Sequence, residues 1–257
     1  MTHPAITNSA LMMALGLVLV ALLVSRREQL GLEKEMLWSS LRAVVQLVLV
    51  GYVLKTLFAL DNTWLTLLMV LFICFNAALN ARKRSRNLPH AFTISFAAIG
   101  VATGLTLALL LASGAIAFLP MQVIPITGMI AGNAMVAVGL CYTQLRRRFH
   151  DQQQQVLEML SLGATPRQSA RAILRGSLRA AMIPTVDAAK TVGLVSLPGM
   201  MSGLIFAGVD PVMAIKYQIM VTFMLLSTAS LAAIIAGYLA CRTFFNARQQ
   251  LTLPGAE

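Results

Sequence analysis

The chain has 257 residues, of which 58% are hydrophobic and only 11% are charged, and its net charge is +11. Soluble domains carry about 25% charged residues, so this chain has too few polar side chains to cover a water-exposed surface. The composition excludes an ordinary soluble globule and predicts a single α-helical domain, residues 1–257, that is embedded in a membrane.

Apolar stretches of about the length that crosses a bilayer follow one another along the chain. A spanning helix needs about 20 apolar residues, and cutting the chain at its charged residues gives about seven such stretches. Residues 87–145 contain no Asp, Glu, Lys or Arg, and Gly114 and Pro120 divide them into two spans. The predicted spans are residues 5–24, 37–58, 64–81, 92–112, 121–142, 192–207 and 213–241.

The basic residues predict how these spans are oriented. Of the twenty Lys and Arg, eighteen fall in segments that are assigned to one side of the membrane. Only Lys55 and Lys216 fall near the other side. Positive residues favour the cytosolic side, so the N-terminus is predicted outside and the C-terminus inside. Arg26 and Arg27 follow the first apolar stretch, whereas a signal peptide has its positive residues in front. Nucleic-acid binding is not predicted, because it needs a soluble basic face.

One segment, residues 144–191, is too polar for the membrane and is predicted to be cytosolic. A helix predicted at residues 152–162 ends at Gly163, the residue type that commonly follows a helix C-terminus. Thr165 and Gln168 have the spacing of a capping box, which predicts that a second helix begins there. Its basic stripe is Arg167, Arg171, Arg175 and Arg179, and its apolar face is Ala170, Ile173, Leu174, Leu178 and Met182.

Polar side chains inside the predicted spans are few, so each is a candidate for a substrate pathway. Asn76 and Asn80 lie four residues apart on one face of the third span, and Asn133 lies in the fifth. Arg42 and Gln46 share a face of the second span, where Arg42 also suits a side chain that reaches the interface. Hydrogen bonding between helices is the open alternative for the asparagines.

Two short segments, GMIAG at 128–132 and GMMSG at 199–203, share one pattern, and each lies near a proline, Pro125 or Pro198. Discontinuous helices in corresponding places mark substrate pathways in many transporters. Glycines at this spacing also allow close helix packing, and thioethers also suit a soft metal ion, so these alternatives stay open. The pathway candidates from these segments are Gly128, Gly132, Pro198, Gly199 and Met200.

Motifs for catalysis and nucleotide binding are absent from the sequence. It contains neither HExxH nor GxSxG, and no GxxxxGK[ST] loop that would hold a nucleotide. Cys74, Cys141 and Cys241 lie in apolar stretches without the spacing of a disulfide framework or zinc site. We therefore predict that the chain is not an enzyme, and any energy for transport must come from a partner or an ion gradient.

Residues 158–168, EMLSLGATPRQ, resemble the coupling loop of ABC importers, with the glutamate one position late, and Pro184 follows further on. Residues 123–135, 160–168 and 190–203 are similar to signatures of the FetB-type permeases of ABC transporters, and the resemblance extends over essentially the whole chain. It implies the membrane subunit of a bacterial inner-membrane transporter that exports iron. Plant relatives of this family act in aluminium tolerance.

The resemblance also implies partners. A separate FetA-like ATPase subunit would bind ATP and Mg, and this chain would bind no cofactor. Two copies of the chain would form a homodimer in contact with membrane lipid. The implied ATPase-coupling residues are Glu158, Leu160, Gly163, Thr165, Gln168 and Arg171.

Two other functions remain as alternatives. The basic segment could recruit a cytosolic partner to a membrane scaffold that transports nothing. A gradient-driven carrier is disfavoured, because no acid or histidine lies in the middle of a span to relay protons. Iron itself rests on the resemblance, since the spans offer few oxygen ligands beyond Asp187, asparagines and backbone carbonyls, and a metal chelate or organic substrate would fit as well.

Overall fold

The computed structural model describes residues 8–60, 62–85, 88–246 and 248–253. Over these residues the chain is helical, and its only β contacts are two isolated bridges, Val192 with Ser196 and Phe245 with Leu251. The predicted all-α class is confirmed. The helices are α1 Asn8–Arg27, α2 Glu33–Leu60, α3 Thr63–Lys83, α4 Ala91–Ala112, α5 Pro120–Asp151, α6 Gln153–Ser161, α7 Pro166–Ser169, α8 Arg171–Thr191, α9 Gly199–Phe206 and α10 Pro211–Arg242.

Five of these helices, α2, α3, α4, α5 and α10, are long and apolar enough to cross a membrane, among the residues that the structure describes. Each coincides with one of the predicted spans, so the polytopic membrane class is confirmed. The total of seven spans and the orientation of the chain stay predictions.

The predicted sixth span, residues 192–207, is wrong as a continuous helix. Residues 192–198 form a turn and an extended segment, and the helix that follows, α9, has only 8 residues. Gly193 has a φ of +83°, a conformation that side chains rarely adopt, and Pro198 has no backbone N–H to continue a helix. Apolar composition alone therefore does not make this segment a spanning helix.

The fifth span is longer than predicted. Helix α5 has 32 residues, which at 1.5 Å per residue is about 48 Å, against a hydrocarbon core of about 30 Å. It continues through Pro125, so the helix at residues 128–132 is not discontinuous. Helix α5 is therefore longer than a bilayer core is thick, and its last turns at Asp151 lead into α6.

The chain divides into two compact units, one up to Asn62 and the other from Thr63 onward. In the first unit α1 and α2 contact each other, and the Ser25 hydroxyl donates a hydrogen bond to Glu33 Oε1 at 3.2 Å. The second unit holds all the remaining helices, and the candidate sites described below lie within it.

Helices α5 and α10 form the centre of the second unit, and each also contacts α4 and α8. Small residues line their contact because lipid gives little hydrophobic drive for helix association, and close approach must supply the packing. A Cβ added to Gly237 on α10 would lie 2.9 Å from Leu178 Cδ2 and 3.2 Å from Cys141 Sγ. The fully buried small residues of this contact are Ala134, Ala137 and Cys141 on α5 and Ala229, Ala233 and Ala236 on α10.

Two buried hydrogen bonds between side chains connect α4 to this centre. The hydroxyls of Ser95 and Tyr142 lie 2.8 Å apart and link α4 to α5. The hydroxyls of Thr106 and Thr228 also lie 2.8 Å apart and link α4 to α10. These pairs fix the rotation of α4 against its neighbours, since each hydroxyl would otherwise face apolar surroundings.

We expect Ser95→Ala to lower the unfolding free energy by about 0.6–1.7 kcal/mol, because the buried Tyr142 hydroxyl loses its partner on α4. The measurement is thermal unfolding of the purified chain in detergent. Ser113→Ala is the matched control, since that hydroxyl is exposed and donates only to Leu110 O of its own helix end. Equal melting temperatures for the two variants would contradict a structural role for the Ser95–Tyr142 pair.

Candidate functional site

A cavity of about 430 Å³ lies inside the second unit, between α5, α8, α10 and the segment that contains α9. Its volume is within the range of about 300–1,000 Å³ that is usual for small-molecule sites. Most of its lining is aliphatic, and a few polar side chains and two thioethers interrupt that surface. These are Asn133 and Met129 on α5, Thr185 on α8, Ser196 and Met200 beside or on α9, and Gln218 and Thr222 on α10.

The polar groups of the cavity are partly engaged with the backbone. Asn133 Nδ2 donates to the Leu225 carbonyl oxygen at 3.2 Å, which ties α5 to α10 beside the cavity. The Thr222 hydroxyl donates to the Gln218 carbonyl oxygen at 2.9 Å, within α10. Among the polar side chains of the wall, Gln218 is the one with a buried atom that lacks a partner within the described residues.

Gln218 is only 5% exposed, and its Oε1 atom has no hydrogen-bond partner in the described part of the chain. A buried acceptor without a partner is costly in an apolar environment, so such an atom in a native protein calls for a ligand or a water. Sequence reasoning missed this residue. The signal was present, because Gln218 is an uncharged amide within the otherwise apolar stretch that became α10.

Only some of the predicted pathway residues lie together on the cavity wall. Asn133, Pro198, Gly199 and Met200 all line the cavity, although they come from two separate segments of the chain. Gly128 and Gly132 lie on α5 but not on the cavity wall.

Close helix packing does not explain the paired glycines within this chain. A Cβ added to any of Gly128, Gly132, Gly199 or Gly203 would meet nothing within 4 Å, leaving aside its own helix backbone and chain neighbours. These glycines therefore leave open space, unlike Gly237 on α10.

Asn76 and Asn80 lie apart from the cavity, on α3. Asn76 Nδ2 donates to the Phe72 carbonyl oxygen at 2.9 Å, and Asn80 Nδ2 donates to the Asn76 carbonyl oxygen at 2.9 Å. Both amides thus bind the backbone of their own helix. Their role in a pathway stays a prediction.

A second candidate site is the turn between α6 and α7, in the segment that resembles a coupling loop. At the end of α6 the Gly163 N–H donates to the Leu160 carbonyl oxygen at 3.0 Å, and the Ala164 N–H donates to the Met159 carbonyl oxygen at 2.9 Å. This pair of bonds is a Schellman motif, which needs a residue with positive φ, and Gly163 has a φ of +89°. The predicted helix end is confirmed.

The start of α7 is fixed by the predicted capping box. The Thr165 N–H donates to Gln168 Oε1 at 2.8 Å, and the Gln168 N–H donates to Thr165 Oγ1 at 3.4 Å. Pro166 occupies the first helical position, where its missing N–H costs nothing. The two motifs together hold the α6–α7 turn in one conformation although it is exposed.

The outer surface of this turn is apolar at its tip and carries one acid. Leu162 is 89% exposed, and Leu157, Met159 and Glu158 are exposed beside it, while Val156 is buried and anchors α6. Glu158 has no ion-pair partner within the described residues. Exposed apolar side chains on a turn that is held in one conformation are suited to contact another protein.

The helix that follows α7 is amphipathic as predicted, although a one-residue break at Ala170 separates α7 from α8. The stripe Arg167, Arg171, Arg175 and Arg179 is exposed. The opposite face packs inward, with Ala170, Ile173 and Leu174 buried and Leu178 and Met182 partly buried. Leu160 of α6 also packs against this core.

Metal-ligating side chains do not cluster in the part of the chain that the structure describes, where no group of three or more His, Cys, Asp or Glu could hold an ion. Asp187 is on α8 but not on the cavity wall, and it pairs with Lys190 Nζ at 3.0 Å, with both side chains exposed. What the cavity offers chemically is therefore hydrogen bonding and apolar contact.

Comparison with known proteins gives the relatives of the chain. Residues 8–245 match UPF0014, described as an uncharacterised protein family. The chain is 66% identical over 248 residues to a protein of Escherichia coli (strain K12) named probable iron export permease protein FetB, which covers 96% of each chain. It is 40% identical to the UPF0014 membrane protein STAR2 of Oryza sativa subsp. japonica, over 93% of this chain and 84% of the relative.

A further relative is the protein ALUMINUM SENSITIVE 3 of Arabidopsis thaliana, which is 37% identical over 93% of this chain and 87% of its own length. No solved structure matches the chain. The relatives therefore identify the family, and their names assign no role to particular residues.

Proposed function

The chain belongs to the UPF0014 family of membrane proteins, and we propose that it is the permease subunit of an ATP-driven ABC transporter that exports iron or another metal. The family and the name of the Escherichia coli relative support a membrane transport permease. The proposal that ATP drives transport rests on the exposed α6–α7 turn, which two capping motifs hold in one conformation. The sequence of the chain contains no nucleotide-binding motif of its own. ATP and Mg would bind to a FetA-like partner subunit.

The helices offer a direct route from this turn to the cavity. A single residue separates α8 from α7, and the second half of α8 contributes Ala181, Pro184 and Thr185 to the cavity wall. Helix α5 contributes Asn133 to the same wall, and a single residue separates its end from α6. A displacement of the turn would therefore act on two walls of the cavity, because both helices run between the turn and the wall.

Pro184 gives α8 a place to bend. It lies inside the helix and on the cavity wall, and a proline within a helix removes one backbone hydrogen bond and favours a kink. We propose that nucleotide-driven closure of two ATPase subunits pulls the α6–α7 turns of two permease copies and opens the cavities to alternate sides. Coupling residues would be Glu158, Leu160, Gly163, Thr165, Gln168 and Arg171.

The test is transport of radiolabelled iron into inverted inner-membrane vesicles from cells that produce the chain together with its ATPase. We expect accumulation that needs hydrolysable ATP and that stops when the ATPase carries an inactive nucleotide site. Accumulation driven by a proton gradient without ATP would indicate a carrier, and no accumulation with release of preloaded iron would indicate import. Binding of the ATPase without any iron movement would favour the scaffold function.

A further inference from the structure

The chemistry of the cavity bears on the form in which a metal would cross the membrane, an inference that rests on the proposed function. We propose that the cavity binds its metal cargo as a small complex of low net charge, in which the metal keeps its own ligands, and that Gln218 recognises a donor group on those ligands. The protein would then hold the complex by hydrogen bonds and apolar contact, without coordinating the metal.

Charge is the first argument. None of the described residues on the cavity wall is an Asp, Glu, His, Cys, Lys or Arg. A bare multivalent cation needs several hard oxygen ligands, usually with carboxylates that balance its charge, and burying it without them is unfavourable. The nearest acid on α8, Asp187, is exposed and neutralised by Lys190 at 3.0 Å. The wall therefore favours cargo whose charge is already balanced.

Size is the second argument. Direct oxygen ligands lie about 2.0–2.6 Å from a Mg²⁺ or Ca²⁺ ion, which requires a close-fitting set of protein oxygens. A cavity of about 430 Å³ is far larger than the space that such a close set of ligands encloses. It has the volume of a site for a small organic molecule. Organic ligands around the metal would fill this space and make contact with the largely aliphatic wall.

The unpartnered amide is the third argument. Gln218 lines the cavity, and its buried Oε1 atom has no partner among the described residues, so a rotation of the amide toward the cavity would let it accept a hydrogen bond from an N–H or O–H group. Met129 and Met200 on the same wall offer polarisable contact, and thioethers bind Cu(I) in preference to iron. The ligands best matched to this wall are compact, apolar on most of their surface and equipped with a donor group, as in a hydroxamate complex.

The test is equilibrium dialysis of the full-length chain in detergent with radiolabelled iron in two forms. One iron probe is neutral tris(acetohydroxamato)iron(III) and the other is aqueous Fe²⁺, and metal-free acetohydroxamic acid labelled with ¹⁴C is a third probe. We expect the neutral complex to bind about tenfold or more tightly than either alternative. Gln218→Met, which keeps the side-chain volume, should weaken its binding by about 5–30-fold through loss of one buried hydrogen bond.

Gln154→Met is the control, because this glutamine is exposed on α6 and lies outside the cavity wall, and it should leave binding unchanged. Gln218→Glu places a carboxylate on the wall and should shift preference from the neutral complex toward Fe²⁺. Tighter binding of Fe²⁺ by the unmodified chain, equal binding of metal-free hydroxamate, or no effect of Gln218→Met in a folded chain would each overturn the proposal.

These outcomes are separable from the proposed function. Dialysis needs no ATPase, so a chain that binds the neutral complex yet never associates with an ATPase would leave the cargo inference standing and remove the ABC permease. An ATP-driven transporter whose permease binds only Fe²⁺ would support the proposed function and remove the cargo inference.

Discussion

Leu162→Asp is expected to release the ATPase subunit from the purified complex. The side chain of Leu162 is 89% exposed at the tip of the α6–α7 turn, on a turn that two capping motifs hold rigid. If the ATPase covers this tip, the aspartate carboxylate would be buried in an apolar contact without a partner, which costs several kcal/mol. We expect the affinity for the ATPase to fall by about 30-fold or more, measured by titrating the purified ATPase against the chain in detergent.

A matched pair of milder variants separates a contact effect from a general effect of losing an exposed leucine. Leu162 and Leu194 are both 89% exposed, and Leu194 lies in the segment after α8, away from the α6–α7 turn. Leu162→Ala should weaken ATPase binding by about 5–30-fold, whereas Leu194→Ala should leave it unchanged. Equal binding by both, with unchanged melting temperatures, would show that the tip of the turn is not the contact.

Ala233→Leu is expected to destabilise the chain by about 1–3 kcal/mol or to prevent its folding. Ala233 is fully buried where α10 meets α5, and its carbonyl oxygen lies 3.9 Å from Cys141 Sγ. Three additional carbon atoms there would force apart two helices that approach closely through small residues. The measurement is the melting temperature in detergent, together with the fraction of chain that remains monodisperse after solubilisation.

The control for this prediction adds the same atoms at an exposed place. Ala108 is exposed on α4, another apolar helix of the same unit, so Ala108→Leu should leave the melting temperature nearly unchanged. If both substitutions lowered the melting temperature equally, tight packing between α5 and α10 would not be what holds the unit together.

The sequence was sufficient for the features that depend on local chemistry. Charged residues bound the apolar stretches at 64–81 and 213–241, and the helices found there, α3 Thr63–Lys83 and α10 Pro211–Arg242, end within a few residues of those limits. The α6–α7 turn was also predictable, because Gly163 and the Thr165–Gln168 pair act through bonds to neighbouring residues. Local capping signals need no knowledge of the tertiary structure.

Apolar composition did not predict the conformation of residues 192–207, the predicted sixth span. Residues 192–207 are apolar enough for a short span, yet they form an extended segment and the short helix α9 along the cavity wall. Hydropathy reports the apolar composition of a segment and not its conformation, so a spanning helix and an extended segment followed by a short helix can have the same hydropathy. Pro198 and Gly193 were the signals against a continuous helix.

The candidate cavity was predictable in part. Asn133 and Pro198 stood out because polar and helix-breaking residues are rare in apolar stretches, and both line the cavity. Asn76 fits the same rule but donates to its own helix, since a carbonyl group four residues earlier is always within reach. Gln218 fits the same rule and was missed, and only the packing shows that its Oε1 atom is buried without a partner among the described residues.

Purification of the tagged chain in mild detergent, with identification and assay of the subunit that accompanies it, tests whether the chain is an ABC permease. We expect a stoichiometric ATPase that carries a nucleotide-binding motif, dissociates from the Leu162→Asp chain and hydrolyses ATP at a different rate when the permease is bound. A chain that purifies as a stable, folded protein without any nucleotide-binding subunit, and that does not alter hydrolysis by the separately purified ATPase, would contradict this expectation.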